Sequence, residues 1–305
     1  MGGSADKRYN LSFIVQNSVD QGTPMIGVSL NYRLSAFGFP SGKEALAAGI
    51  TNLGFKDQRL ALRWVHENIA AFGGAPDKVT IWGESSGAES VSAQTLAYNG
   101  RDDGLFRGVI AQSGYGGFIG RYAGGLNATA AMQTTYDTLV RNTTCRRTAG
   151  TPKSLDCLRA LPLADLHAAL NGTAANPWPP VLDGDFVADY PSKQLSEGRF
   201  PKVPVLMGAN SEEGAGFGSG RGPNGGGVNT DDEMRKAVAT IVGPDVKKTV
   251  GKTVDQVVDE LMFLYPNIQA VGVPGLDKWP VIKPGDAVAQ AMGSQYRRTA
   301  AFFGD

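Results

Sequence analysis

The chain has 305 residues, of which 42% are hydrophobic, enough to bury a large core, and α/β folds of this length commonly run as one domain. Twenty-nine basic and twenty-nine acidic side chains cancel, which leaves no long-range field to draw nucleic acid or an anionic membrane surface. No stretch approaches the roughly 20 uninterrupted apolar residues of a bilayer span. The opening "MGGSADKRYN" is expected to carry no signal peptide, because it lacks a charged region followed by an apolar one.

The first element in chain order is "PMIGVSLNY", residues 24–32, a continuous apolar run that predicts a central strand buried on both faces. In "LGFKDQRLALRWVHENIAAFGG", Leu62, Val65, Ile69 and Phe72 recur at helical spacing, and Gly73 and Gly74 end the run. "VTIW", residues 79–82, is a second strand, followed by the turn Gly83-Glu84-Ser85-Ser86-Gly87 and a helix through "SGAESVSAQTLAY". "RGVIAQSG" and "VPVLMGAN" predict two further strands, so strands alternate with helices and imply a parallel sheet with helical cover.

About 90 mostly helical residues separate those last two strands, too many for a simple crossover. Residues from roughly 115 to 200 therefore read as an inserted helical cap. Beyond Thr230 the patterns are helical, as in "DDEMRKAVATIV" and "VDQVVDELMFLYP", while "GAGFGSGRGPNGGG" reads as a flexible loop. "VGKT" lacks the first glycine of a phosphate loop, since Val246 stands there. Gly220-x-Gly222-x-x-Gly225 contains Pro223 and does not join a strand to a helix, so neither motif predicts nucleotide binding.

The serine turn carries the chemistry. A serine between two glycines, in a turn too tight for side chains at its flanks, after a strand and before a helix, is presented as a nucleophile, with the first helical amides facing a developing oxyanion. Ser85 is the candidate nucleophile and the amide of Ser86 the candidate oxyanion donor. A carboxylate is expected at the end of a later strand, where Glu212 and Glu213 stand. The two histidines, His66 and His167, both precede them and are out of order for a base, so each reads as structural or surface.

Cys145 and Cys157 are the only cysteines, and their spacing suits either a disulfide worth about 3 kcal/mol or two reduced, buried thiols. Asn-x-Ser/Thr sequons at Asn10, Asn127, Asn142 and Asn171 exceed the roughly two expected by chance, and tilt the reading towards the secretory pathway.

"NLGFKDQRLALRWVHENIAAFGGAPDKVTIWGESSGAESV" closely resembles the type-B carboxylesterase family, which includes fungal secreted lipases and cholinesterases. So do "VSLNYRLSAFGF", "FRGVIAQSG", "PVLDGDF" and "VPVLMGANSEEG", nearly the length of the chain. The resemblance implies an α/β-hydrolase fold, with a mainly parallel sheet flanked by helices, a helical cap insertion and truncation at both ends, over one incomplete domain, 1–305. It implies hydrolysis of a small-molecule or lipid ester through an acyl-enzyme on Ser85, without metal or organic cofactor, and secretion.

The same resemblance makes Glu213, directly before a glycine, the acid in preference to Glu212, and pairs Cys145 with Cys157. Ser86 departs from the alanine usual after the nucleophile, a change that keeps the backbone amide. Asp57 and Gln58 match the family and read as structural. The family histidine is expected beyond Asp305 and the glycine-rich oxyanion loop before Met1, so the chain reads as an internal fragment, inactive alone. The alternative is a non-catalytic adhesion or interaction module of the same superfamily.

Overall fold

The computed structural model describes residues 3–117, 126, 129–172, 178–211, 213–243, 246–268 and 293–304. The chain divides into two compact units, Met1–Met207 and Gly208–Asp305.

The first unit opens with helices α1 (Ser12–Asp20), α2 (Ser35–Gly38) and α3 (Lys43–Ala47), then the long α4 (Leu53–Asn68). α4 runs on through a 3₁₀ turn to Phe72 and stops where Gly73 takes a φ of 81°, as its glycine pair predicts. Strand β1 (Thr80–Glu84) leads into α5 (Ser86–Gly100), and β2 (Gly108–Gln112) pairs with β1 in parallel, Ile81 opposite Val109 and Glu84 opposite Gln112. β3 (Val205–Gly208) completes the order β1-β2-β3.

The run 24–32 is not a strand. It has no ladder, and Met25, Ile26, Val28 and Leu30 are exposed. A continuous apolar run signals surface that needs cover but says nothing about which backbone pairs with it. β3 shows the same disparity, since Leu206 and Met207 are each 67% exposed although the strand was placed correctly.

Between β2 and β3 the described residues include four helices, α6 (Thr129–Arg141), α7 (Lys153–Arg159), α8 (Leu163–Gly172) and α9 (Pro191–Ser196). Cys145 and Cys157 are joined by a disulfide, and buried Cys145 packs in a small core with Tyr136, Leu139, Val140, Leu158 and Leu170. A second core joins α4, β1, α5 and β2 through Leu62, Ile81, Val91, Leu105, Phe106 and Val109. A third is aromatic, where Phe55 stacks on Phe186 at 5.6 Å and meets Phe39 edge-on at 5.1 Å.

Asp57 and Gln58 are structural in this fold. Asp57 grips Arg33 in a fork, with Nε to Oδ2 at 2.7 Å and Nη2 to Oδ1 at 2.6 Å, and also accepts the Arg33 amide at 3.0 Å. Those bonds hold the Asp57 carboxyl below its ordinary pKa despite some burial. Gln58 points the other way, into α5, where its Nε2 donates to Ser90 Oγ at 3.0 Å and its Oε1 accepts from Gln94 Nε2 at 3.2 Å.

In the second unit, short helices α10 (Gly214–Phe217) and α12 (Val246–Val250) accompany α11 (Asp231–Val242), α13 (Val254–Leu264) and α14 (Tyr296–Gly304). Val228, Met234, Val238 and Val258 form its core. Thr230 with Glu233, and Thr253 with Gln256, are reciprocal N-terminal caps, so the threonine of "VGKT" starts a helix. The glycine-rich stretch is more ordered than its composition suggests. It begins in α10 and contains a 3₁₀ turn at Pro223–Gly225, closed by the Gly226 amide on the Pro223 carbonyl at 3.0 Å and bracketed by the Gly222 amide on the Gly226 carbonyl at 2.8 Å.

Two outcomes follow for the folded chain. Phe186→Ala empties the centre of the aromatic core, and denaturant unfolding is expected to show a loss of about 3–5 kcal/mol. Because the folded pKa of Asp57 is lowered, its contribution to stability is complete above about pH 4 and is lost as pH falls through the folded value. Unfolding measured from pH 5 downward is expected to show a shallower decline in Asp57→Asn than in the parent.

Candidate active site

In the turn between β1 and α5 the backbone departs from ordinary conformation. Ser85 sits at φ 54°, ψ −119°, a region that non-glycine residues rarely occupy and that costs of order 1–3 kcal/mol. Its neighbours hold it there. The Ser85 amide donates to the Gln112 carbonyl of β2 at 2.9 Å, and its own carbonyl accepts the Glu89 amide at 2.9 Å, closing the first turn of α5. Trp82 Nε1 donates to Gln112 Oε1 at 2.8 Å, so the end of β2 is tied to β1 through side chains as well.

Of the two glycines flanking the serine, only Gly83 is required by space. A Cβ there would stand 2.1 Å from the Gly87 carbonyl oxygen, an impossible approach. A Cβ on Gly87 would meet nothing within 4 Å, so the expectation of a turn too tight on both sides holds on one side only. The other close neighbour is Gly114, at φ 144°, whose Cβ position lies 3.5 Å from the Ser85 carbonyl.

These constraints lift the Ser85 side chain into solvent at the mouth of the sheet, and Ser85 is exposed. The following amide, that of Ser86, opens α5, and first-turn amides have no carbonyl partner within their own helix. A nucleophilic oxygen and a pool of positive dipole thus lie side by side. Below them the helix is anchored by polar bonds: Ser90 Oγ donates to the Ser86 carbonyl at 2.8 Å while accepting from Gln58, and Gln94 Nε2 reaches the Phe55 carbonyl at 3.0 Å.

Glu213 immediately precedes α10 in the second unit, and its Oε1 accepts the Asn210 amide at 2.8 Å and Asn210 Nδ2 at 3.2 Å. Glu213 stands five residues after the end of β3, as its sequence position predicts. Glu212 lies outside the described residues.

Neither histidine is placed as a base beside the serine by any bond described. His66 is exposed on α4, and His167 is exposed on α8 with its Nδ1 3.4 Å from Asn171 Nδ2. Among the sequons, Asn10, Asn142 and Asn171 are exposed, whereas Asn127 lies outside the described residues. The sequence reading did not find the partners that steady the turn, Gln112, Ser90 and Gln94. The legible trace of two of them was the mixture of polar and small apolar residues in "SVSAQT", a stretch of helix that is buried all round.

At the far end of α5 the chain passes through left-handed backbone at Tyr98 and Asn99. The buried guanidinium of Arg59 meets it from α4, donating to the Arg101 carbonyl at 2.5 Å and to Asp103 at 2.9 Å. Arg101 lies over the Tyr98 ring at 4.6 Å. Both ends of the helix that presents the serine are therefore fixed.

Comparison with known proteins agrees with this arrangement. The profile of the carboxylesterase family matches residues 1–270. Secreted lipase 1 of Botryotinia fuckeliana is 40% identical over 229 residues, 71% of this chain and 38% of that protein. Lipase 2 of Geotrichum candidum is 31% identical over 309 residues, 95% of this chain and 50% of that one. The crystal structure of Aspergillus niger EstA superimposes with a TM-score of 0.70 at 27% identity, covering 100% of this chain and 53% of its own. The chain spans about half the length, or less, of these relatives. A parallel sheet with helical cover, a serine at a strand-to-helix turn and these matches have one reading: the chain has an α/β-hydrolase fold and belongs to the carboxylesterase family.

Proposed function

We propose that the full-length protein hydrolyses carboxylic esters through an acyl-enzyme on Ser85. The observation that carries this reading is the conformation of Ser85, a rarely populated backbone state held by a strand on one side and a helix on the other. In the proposed reaction Ser85 Oγ attacks the ester carbonyl carbon and its proton passes to a histidine. The oxyanion forms against the Ser86 amide, the alcohol departs with the proton, and water releases the acid from the serine. No metal or organic cofactor takes part in these steps.

Glu213 is the proposed partner of that histidine, as the acceptor that orients it. His66 and His167 are poor candidates for the base, given where they lie, so the base is assigned to a part of the full-length protein outside these 305 residues. Secretion is proposed on the disulfide, the exposed sequons at Asn10, Asn142 and Asn171, and relatives whose names include "secreted". Substrates are small-molecule or lipid esters, the class that the lipase relatives' names suggest.

Ser85→Ala in the full-length protein is expected to abolish turnover of a short-chain activated ester and covalent labelling by an organophosphonate. Undiminished labelling would overturn the assignment. In the same assay residues 1–305 alone are expected to be slower by on the order of 10⁶, the usual cost of losing a triad histidine. Glu213→Gln is expected to reduce kcat strongly while Glu212→Gln leaves it near the parent value. Equal losses would show that the wrong carboxylate has been chosen or that the two act together.

A further inference from the structure

Basic residues stand side by side at 7–8, 146–147, 235–236, 247–248 and 297–298. In four of these pairs, at least one member is buried, ion-paired or inside an α-helix. Arg297 and Arg298 are buried, 1% and 5% exposed. Arg235 is inside α11 and paired with Asp259 at 2.6 Å, and Lys247 and Lys248 are inside α12. Arg8 is clamped by Asp6 through its Nε, Nη2 and backbone amide.

The remaining pair differs. Arg146 and Arg147 are both exposed, and among the described residues neither forms an ion pair. They lie in the 3₁₀ turn Thr144–Thr148, where Arg146 N bonds Thr143 O at 3.2 Å and Ala149 N bonds Arg146 O at 3.5 Å. Bonds that span three residues and face solvent open locally at small cost. The pair also borders an open groove of about 860 Å³, lined with Asn142, Asp165 and Ala169. A protease cleft can therefore approach it from solvent.

The location matters as much as the exposure. Arg146 and Arg147 lie inside the loop that Cys145 and Cys157 close. Breaking the chain here leaves both pieces covalently joined, and leaves Cys145, Tyr136 and Leu158 in their common core.

We propose that the Arg147–Thr148 bond is a processing site for an endoprotease that cuts after paired basic residues, giving a two-chain molecule held by Cys145–Cys157. One water is consumed, the peptide bond breaks to a carboxylate on Arg147 and an amine on Thr148, and the disulfide is untouched. The proposal rests on the secretory reading only for where the protease is met. Its test requires neither secretion nor ester hydrolysis.

Purified, disulfide-intact full-length protein is treated with a subtilisin-like endoprotease specific for paired basic residues, then separated with and without reductant. The expected result is one band without reductant and two with it, one of the two having Thr148 as its N-terminus. Arg147→Gln is expected to abolish the second band. A glycan on Asn142, four residues before Arg146, could shield the site, so Asn142→Gln is treated in parallel. Cleavage at Thr148 in either protein upholds the proposal. Resistance of both under conditions that cut the denatured chain, or cleavage at another basic pair with Arg147–Thr148 intact, overturns it.

Discussion

The approach of the Gly83 backbone to the Gly87 carbonyl is the contact on which the rest of this structure depends. It lets a helix begin almost on top of the strand that precedes it. That geometry forces Ser85 into positive φ, and the strain is borne because the Ser85 amide is bonded to β2 and its carbonyl to α5. Strand pairing, helix initiation and side-chain presentation are therefore one problem with one solution. A larger residue at 83 would disturb all three together.

The strain must be held from below, and apolar packing alone is a weak way to fix a rotation about a helix axis. Here α4 and α5 meet through directional bonds as well. Gln58, Ser90 and Gln94 form a buried polar chain that ends on the Phe55 carbonyl, and each bond has a preferred geometry. At the other end Arg59 brings a flat cation to two acceptors, the Arg101 carbonyl and Asp103. Both of these bonds come from Nη2, while Nη1 lies 3.5 Å from the Gln94 carbonyl, so two nitrogens reach three acceptors where a lysine would bring one.

Much of this was legible from the residues. The positions of α4, β1, α5, β2 and β3 followed from apolar periodicity and glycine punctuation, and Ser85 was singled out by its flanking glycines in that context. The segment 24–32 was misread because the same apolar run serves a paired strand and an unpaired extended chain. The residues alone leave Glu212 and Glu213 equivalent, since two adjacent carboxylates in a loop have the same chemistry, and only family likeness favours Glu213. Glycine at 87 was over-interpreted, because letters alone cannot tell a position that forbids a side chain from one that merely lacks it. The polar anchors of α5 were hidden for a related reason: a buried glutamine is recognised by its partners, and these come from distant parts of the sequence.

The cap core has a kinetic character that the aromatic core lacks. Its buried members, Tyr136 to Leu170, lie within one short stretch of chain, whereas the aromatic core draws Phe39, Phe55, Ala97 and Phe186 from across the first unit. Loop-closure entropy rises with the length of chain enclosed, and contacts between near neighbours form fast. The cap can thus collapse and bring Cys145 to Cys157 while Phe186 is still searching for Phe55. An emerging chain would then carry a crosslinked, partly ordered knot ahead of its main assembly, and oxidation of the pair would not have to wait for the sheet.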